Sequence, residues 1–166
     1  RLRHFAGHDA LGQAFDDGRL AHARLADQHR IVLGTPLQDL DRGAKFRVVA
    51  VTGAEAAYRG FCRVIWNTHT KEITDLSRDD RNRFMDAVYR VETALRASLN
   101  PDKMNIASLG NMTPHLHWHV IARFDWDSHF PNPVWGASRR EVSGGAEARL
   151  PLALTDLDRR VALALA

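Results

Sequence analysis

Three histidines at strict alternation, in Asn111-Met112-Thr113-Pro114-His115-Leu116-His117-Trp118-His119-Val120-Ile121, constrain this chain more than any other feature of it. Side chains along a β-strand point alternately to its two faces. A strand would therefore put all three imidazoles on one face and Leu116, Trp118 and Val120 on the other, where they can pack on a core. A helix would scatter the same imidazoles over about 200°, and Pro114 suits the first residue of a strand. The spacing predicts a half-buried strand that offers three imidazoles to one small ligand.

Two chemistries use such a row. Neutral imidazole is a ligand for zinc and other transition metals. It is also a nucleophile and a general acid–base, with an unperturbed pKa of about 6.5. Rings this close disfavour one another's protonation, which keeps one free to attack an electrophilic phosphorus. The alternative is three histidines at a solvated sheet edge, but nine histidines in 166 residues would rarely fall in this pattern.

The flanking sequence supplies the rest of a small α+β unit. Residues 8–30 read as a helix capped by Asp9, and Ile31 to Leu33 as a short strand before the turn Gly34-Thr35-Pro36-Leu37. Lys45 to Val51 and Phe61 to Trp66 are strand-like and form an expected antiparallel hairpin with a long loop. Ser77 can cap the strongest helix, with Asp80 three residues on in the manner of a capping box. Phe84, Val88, Val91, Leu95 and Leu99 give that helix an apolar stripe, and its Arg78, Asp79, Arg81, Arg83, Arg90 and Glu92 a solvated side. Asn100-Pro101-Asp102 ends it, and Lys103 to Leu109 reads as a further strand leading through Gly110 to the triad. Beyond Gly136 the chain turns polar. Ser143-Gly144-Gly145 forms a joint, and Thr155 can cap a short helix that includes Leu157, Val161 and Leu163.

This order predicts an N-terminal helical extension and lead-in over 1–45, a catalytic unit over 46–136, and a tail with a short helix over 137–166. Short connections imply antiparallel pairing. A net charge of +3 argues for neither nucleic acid nor membrane as partner, although it suits an anionic substrate. A single cysteine, Cys62, excludes an internal disulfide and points to a reducing compartment, read as the cytoplasm.

His115-Leu116-His117-Trp118-His119-Val120-Ile121 resembles the His-φ-His-φ-His-φ-φ signature of the histidine triad (HIT) superfamily of nucleotide hydrolases and transferases. Gly60 to Asn67, Leu109-Gly110-Asn111 and Pro131-Asn132-Pro133-Val134-Trp135-Gly136 are similar to a bacterial branch of it. The resemblance implies an antiparallel sheet of about five strands crossed by the long helix, a homodimer, and a purine nucleotide as substrate. It implies that His117 attacks the α-phosphate of a nucleoside phosphoramidate or dinucleoside polyphosphate, forming a nucleotidyl-histidine intermediate. His119 would then steady the phosphate oxygens, and His115 would support the array, its tautomer held by a backbone carbonyl or by His69. Asn111 matches an amide that contacts phosphate or leaving group, and Asn105 the family's other phosphate-binding Asn; a plain turn role is the alternative for each. Gly110 would allow close approach of backbone to ligand, Glu55 would hold the ribose, and Trp135 would cover the site. Val48 and Phe46 could touch the base, although a core role is the simpler reading.

Zinc-containing relatives add a Cys-x-x-Cys pair to His69 and the first triad histidine. Gly34 and Leu37 occupy those positions, so no structural zinc and no cofactor is expected. Met112 stands where several relatives have a phosphate-binding Ser or Thr. With the missing Cys pair, it keeps a second reading open, a non-catalytic nucleotide-binding regulatory module. A metal-binding protein is the third.

Overall fold

The computed structural model describes residues 45–50, 58 and 60–166. The expected N-terminal helix, the turn carrying Gly34 and Leu37, and the ribose candidate Glu55 lie outside the described residues.

Four strands form one antiparallel sheet in these residues: β1 (Phe46–Ala50), β2 (Phe61–Trp66), β3 (Lys103–Ala107) and β4 (His117–Arg123), in the order β1-β2-β4-β3. The triad strand is thus internal, paired with β2 on one side and β3 on the other. Registers fix which residues share a face. Val64 pairs with Trp118 and Cys62 with Val120 on one face, while Arg63 pairs with His119 and Phe61 with Ile121 on the other. Val48 opposite Val64 continues the first face into β1, and Met104 opposite Ala122 continues it into β3.

That first face is covered by α1 (Arg78–Leu99). Ser77 Oγ accepts the Asp80 N–H at 3.2 Å, satisfying one of the orphan donors of the first turn. The Asp80 carboxylate accepts Lys45 Nζ at 2.8 Å, which ties the helix start to the lead-in of β1. The predicted stripe of Phe84, Val88, Val91, Leu95 and Leu99 is buried throughout. Asn100 ends the helix in the left-handed region (φ 46°), its N–H donating to Arg96 O at 3.0 Å. Val48, Trp66 and Leu116 join this core, and Phe46 rests on Phe84 with ring centroids 5.9 Å apart. Val48 and Phe46 are core residues on the face away from the imidazoles.

Helix α2 (Leu154–Leu165) packs on α1 and adds Leu157 and Val161 to the same core. One expectation needs correction here: the N-cap is Ala153, so Thr155 falls inside the first turn rather than before it. Leu157, Val161 and Leu163 all lie in the helix as expected, Leu163 on its exposed side. No helix among the described residues is long and apolar enough to cross a membrane.

Candidate active site

The imidazole face of β4 begins one step later than the alternation suggests. Leu116 is drawn into its own pairing, accepting the Trp66 N–H at 3.1 Å and donating to Thr70 O at 2.7 Å. His115 therefore precedes the strand, in a bend, and only His117 and His119 are strand residues. His115 is held all the same, with Nε2 at 2.6 Å from Trp66 O and Nδ1 at 3.3 Å from His69 Nδ1, the two rings stacked.

Carbonyl oxygens only accept, and this fixes the proton on each ring. His115 Nε2–H donates to Trp66 O, leaving its Nδ1 to accept from His69 Nδ1–H. His117 Nδ1–H donates to His115 O at 2.7 Å, so the Nε2 of neutral His117 carries the lone pair. His119 Nε2 stands 3.0 Å from it and must supply the proton between them. The lone pair of the middle imidazole is thus aimed at its neighbour's N–H, and a ligand oxygen can take over that donor. His119 Nδ1 is buried without a hydrogen-bond partner among the described residues.

Electrostatics keep both rings neutral. Burial lowers the pKa of His117; the His115 carbonyl opposes this, while the Arg63 guanidinium and His115 add to the fall. His119 is lowered to about 3, by burial first and then by His117 and Arg63. Arg63, in register with His119 on the same face, was not singled out by the sequence reading. The signal was there, a cation inside an otherwise apolar strand.

A second, smaller apolar cluster covers this face. Phe61 and Ile121 pack with Tyr58, Val134 and Trp135, and Trp135 stands edge-on over His119 with ring centroids 5.3 Å apart. Trp135 therefore reaches the triad from the same chain. Its loop is anchored by a buried ion pair that sequence reasoning also missed. Arg123 Nε and Nη2 donate to the two carboxylate oxygens of Asp127 at 2.7 and 3.0 Å, and Nη2 also donates to Asn132 O at 2.8 Å. Arg123 Nη1 donates to Asn105 Oδ1 at 2.8 Å. Asp127 in turn accepts the backbone N–H groups of His129 and Phe130 at 2.9 and 2.7 Å, leading into the cis Phe130–Pro131 bond. Arg123 continues the period-two row His117, His119, Ile121, and a charge at that position was the available clue.

The structure thus brings together His69, His115, His117, His119 and Trp135, and joins Asn105 to the same face through Arg123. Gly110 and Asn111 sit exposed in the loop before the triad. A Cβ on Gly110 would meet Thr113 O at 3.5 Å, an ordinary contact, so no crowding by the protein itself requires glycine there. As for metal, His69 and His115 supply two imidazoles. No third His, Cys, Asp or Glu joins them among the described residues.

Comparison with known proteins agrees with this architecture. A family model described as HIT domain matches residues 44–126. A histidine triad protein from Bradyrhizobium japonicum has a similar structure, with TM-score 0.58 and 28% identity over 87% of this chain and 92% of that one. A histidine triad (HIT) protein from Sinorhizobium meliloti 1021 shares the fold at TM-score 0.58 and 24% identity, over 84% and 91% of the two chains. A histidine triad protein from Marinobacter aquaeolei VT8 does so at TM-score 0.60 and 23% identity, over 87% and 93%. No curated protein matches. The matched segment holds all four strands, the long helix and the three imidazoles, and by it this chain belongs to the HIT domain family.

Proposed function

We propose that the protein is a nucleotide hydrolase or nucleotidyl transferase acting at the α-phosphate of a nucleoside phosphoramidate or dinucleoside polyphosphate. The observation that carries this reading is the His115 O···H–Nδ1 bond of His117, which leaves the lone pair on Nε2, 3.0 Å from a neutral N–H donor. In the first step His117 Nε2 attacks phosphorus and the bond to the leaving group breaks. The leaving oxygen or nitrogen departs with the electron pair and picks up a proton. His119 Nε2–H turns from His117 to a phosphate oxygen and stabilises the charge gathered there. In the second step water attacks phosphorus and gives up a proton to solvent, balancing the one the leaving group took up, the P–N bond returns its electrons to His117, and nucleoside monophosphate is released. Asn105 and Asn111 present amides to phosphate, Glu55 takes the ribose, and Trp135 keeps water from the first step.

The same reading makes the protein a cytoplasmic homodimer that takes purine nucleotides and needs no resident metal, in keeping with a single, buried cysteine. The test is turnover of adenosine and guanosine phosphoramidates and diadenosine polyphosphates by wild type and His117→Ala. A loss of about a thousandfold or more in a folded variant supports a covalent nucleophile. A wild type that binds AMP yet turns nothing over makes the triad a nucleotide clamp, the non-catalytic reading kept open by Met112.

A further inference from the structure

The guanidinium of Arg123 has no place in the two chemical steps, yet it is 1% exposed and makes hydrogen bonds to three separate segments. Two of those segments matter to the site. One is β3, through Asn105; the other is the loop that carries Trp135, through Asn132 O. Asp127 neutralises the charge and, through the His129 and Phe130 amides, fixes the loop's first turn. A charge so deeply buried requires its partners in place, because each one lost leaves a donor without solvent.

The consequence falls on Asn105. A carboxamide can present either its oxygen or its N–H2 group, and an unconstrained Asn interconverts between them. Arg123 Nη1 carries only protons, so it binds only the Oδ1 end, and the N–H2 end is then the one left to a ligand. We propose that Arg123 is a positioning residue: by holding Asn105 through Oδ1 it leaves the amide N–H2 as the free end, so that this position donates to an anionic phosphate oxygen in preference to accepting from a hydrogen-bond donor. This inference rests on the proposed nucleotide reading and adds to it the polarity of the Asn105 position and its coupling to the Trp135 loop. It also accounts for a charged residue at the end of the row His117, His119, Ile121, where a leucine would pack without any polar partner.

The experiment is a double-mutant cycle of Arg123→Lys and Asn105→Ala, read on kcat/KM for a nucleoside phosphoramidate, with thermal melts to verify folding. Lysine keeps the charge near Asp127 but loses the fork that reaches Asn105 and Asn132 together. Arg123→Lys should lower kcat/KM about tenfold in the wild-type background and less than about twofold when Asn105 is already alanine. An equal loss in both backgrounds would show a merely structural arginine and overturn the proposal. Should Arg123→Lys not fold, Asn105→Asp decides. It keeps an acceptor for Arg123 while replacing the N–H2 group with a second oxygen. The proposal requires a melting temperature at or above that of wild type with turnover lost, and turnover within about twofold of wild type overturns it. If wild type turns over no substrate, the same cycle is read on AMP dissociation constants, so failure of the hydrolase reading and failure of Arg123's role appear separately. A wild type that binds no AMP overturns both.

Discussion

Removing the Asp127 carboxylate should destabilise the protein more than any other single polar truncation at this site. In Asp127→Ala the Arg123 guanidinium, itself 1% exposed, keeps its charge and loses two hydrogen bonds at 2.7 and 3.0 Å. Breaking a buried pair in this way costs about 3–5 kcal/mol. The backbone N–H groups of His129 and Phe130 also lose their acceptor, at about 1–3 kcal/mol each before the loop relaxes. Relaxation and water entry return part of this, so a net loss of about 4–6 kcal/mol is expected. For a chain of this size that corresponds to a fall in Tm of about 10–20 °C. Urea unfolding of wild type and variant provides the measurement. Arg123→Met combined with Asp127→Leu removes the stranded charge but not the unpaired amides, and should recover about half of the loss. A single variant within about 1 kcal/mol of wild type, or a double variant less stable than the single, would refute the reasoning. The pH dependence offers an independent check. Burial alone would raise the Asp127 carboxyl, but Arg123 and the two loop amides outweigh it and hold the pKa below the ordinary value. Its contribution is therefore complete above about pH 4, the unfolded value, and is lost as pH falls through the folded one.

His117 and His119 titrate low, so the acid limb of kcat/KM should lie below the ordinary histidine value of about 6.5; Arg63→Gln, which removes one of the influences lowering His117, should move that limb to higher pH. Both rings bind protons more readily once unfolded, so stability should decline as pH falls below about 6.5. In NMR titrations His119, lowered to about 3, should show no ring protonation near neutral pH; a midpoint near 6.5 would show that its burial is misjudged. Gly60→Ala should cost about 1–3 kcal/mol in urea unfolding, because its Cβ would stand 2.7 Å from both Ala122 Cβ and Leu99 Cδ1; an unchanged midpoint would mean that β2 shifts freely.

Local patterns determine their own elements well. Phe61 to Trp66 has the bounds expected of it, and Ser77 caps α1, because alternation and capping are decided within a few residues. The triad face was legible for the same reason. What escaped depends on pairing at a distance. His115 leaves the strand because Trp66 and Thr70, both remote in sequence, claim the backbone of Leu116. Ala153 replaces Thr155 at the cap of α2 because the helix starts two residues earlier, where no side chain caps it. Arg123 and Asp127 read as ordinary charges until the chain folds back after β4 and closes Asn132 and Asn105 around the guanidinium. A period-two row ending in arginine signals a buried cation only once its counter-ion is known.

The claim at the centre of this account is that His117 Nε2 bonds to phosphorus. Rapid-quench intact-mass spectrometry with a diadenosine polyphosphate or adenosine phosphoramidate, quenched without acid because the P–N bond is acid-labile, tests it directly. The account predicts a transient adduct of one adenosine monophosphate on wild type that maps to His117 and is absent from His117→Ala. Turnover by wild type with no adduct at any quench time, or undiminished turnover by a folded His117→Ala, would contradict it.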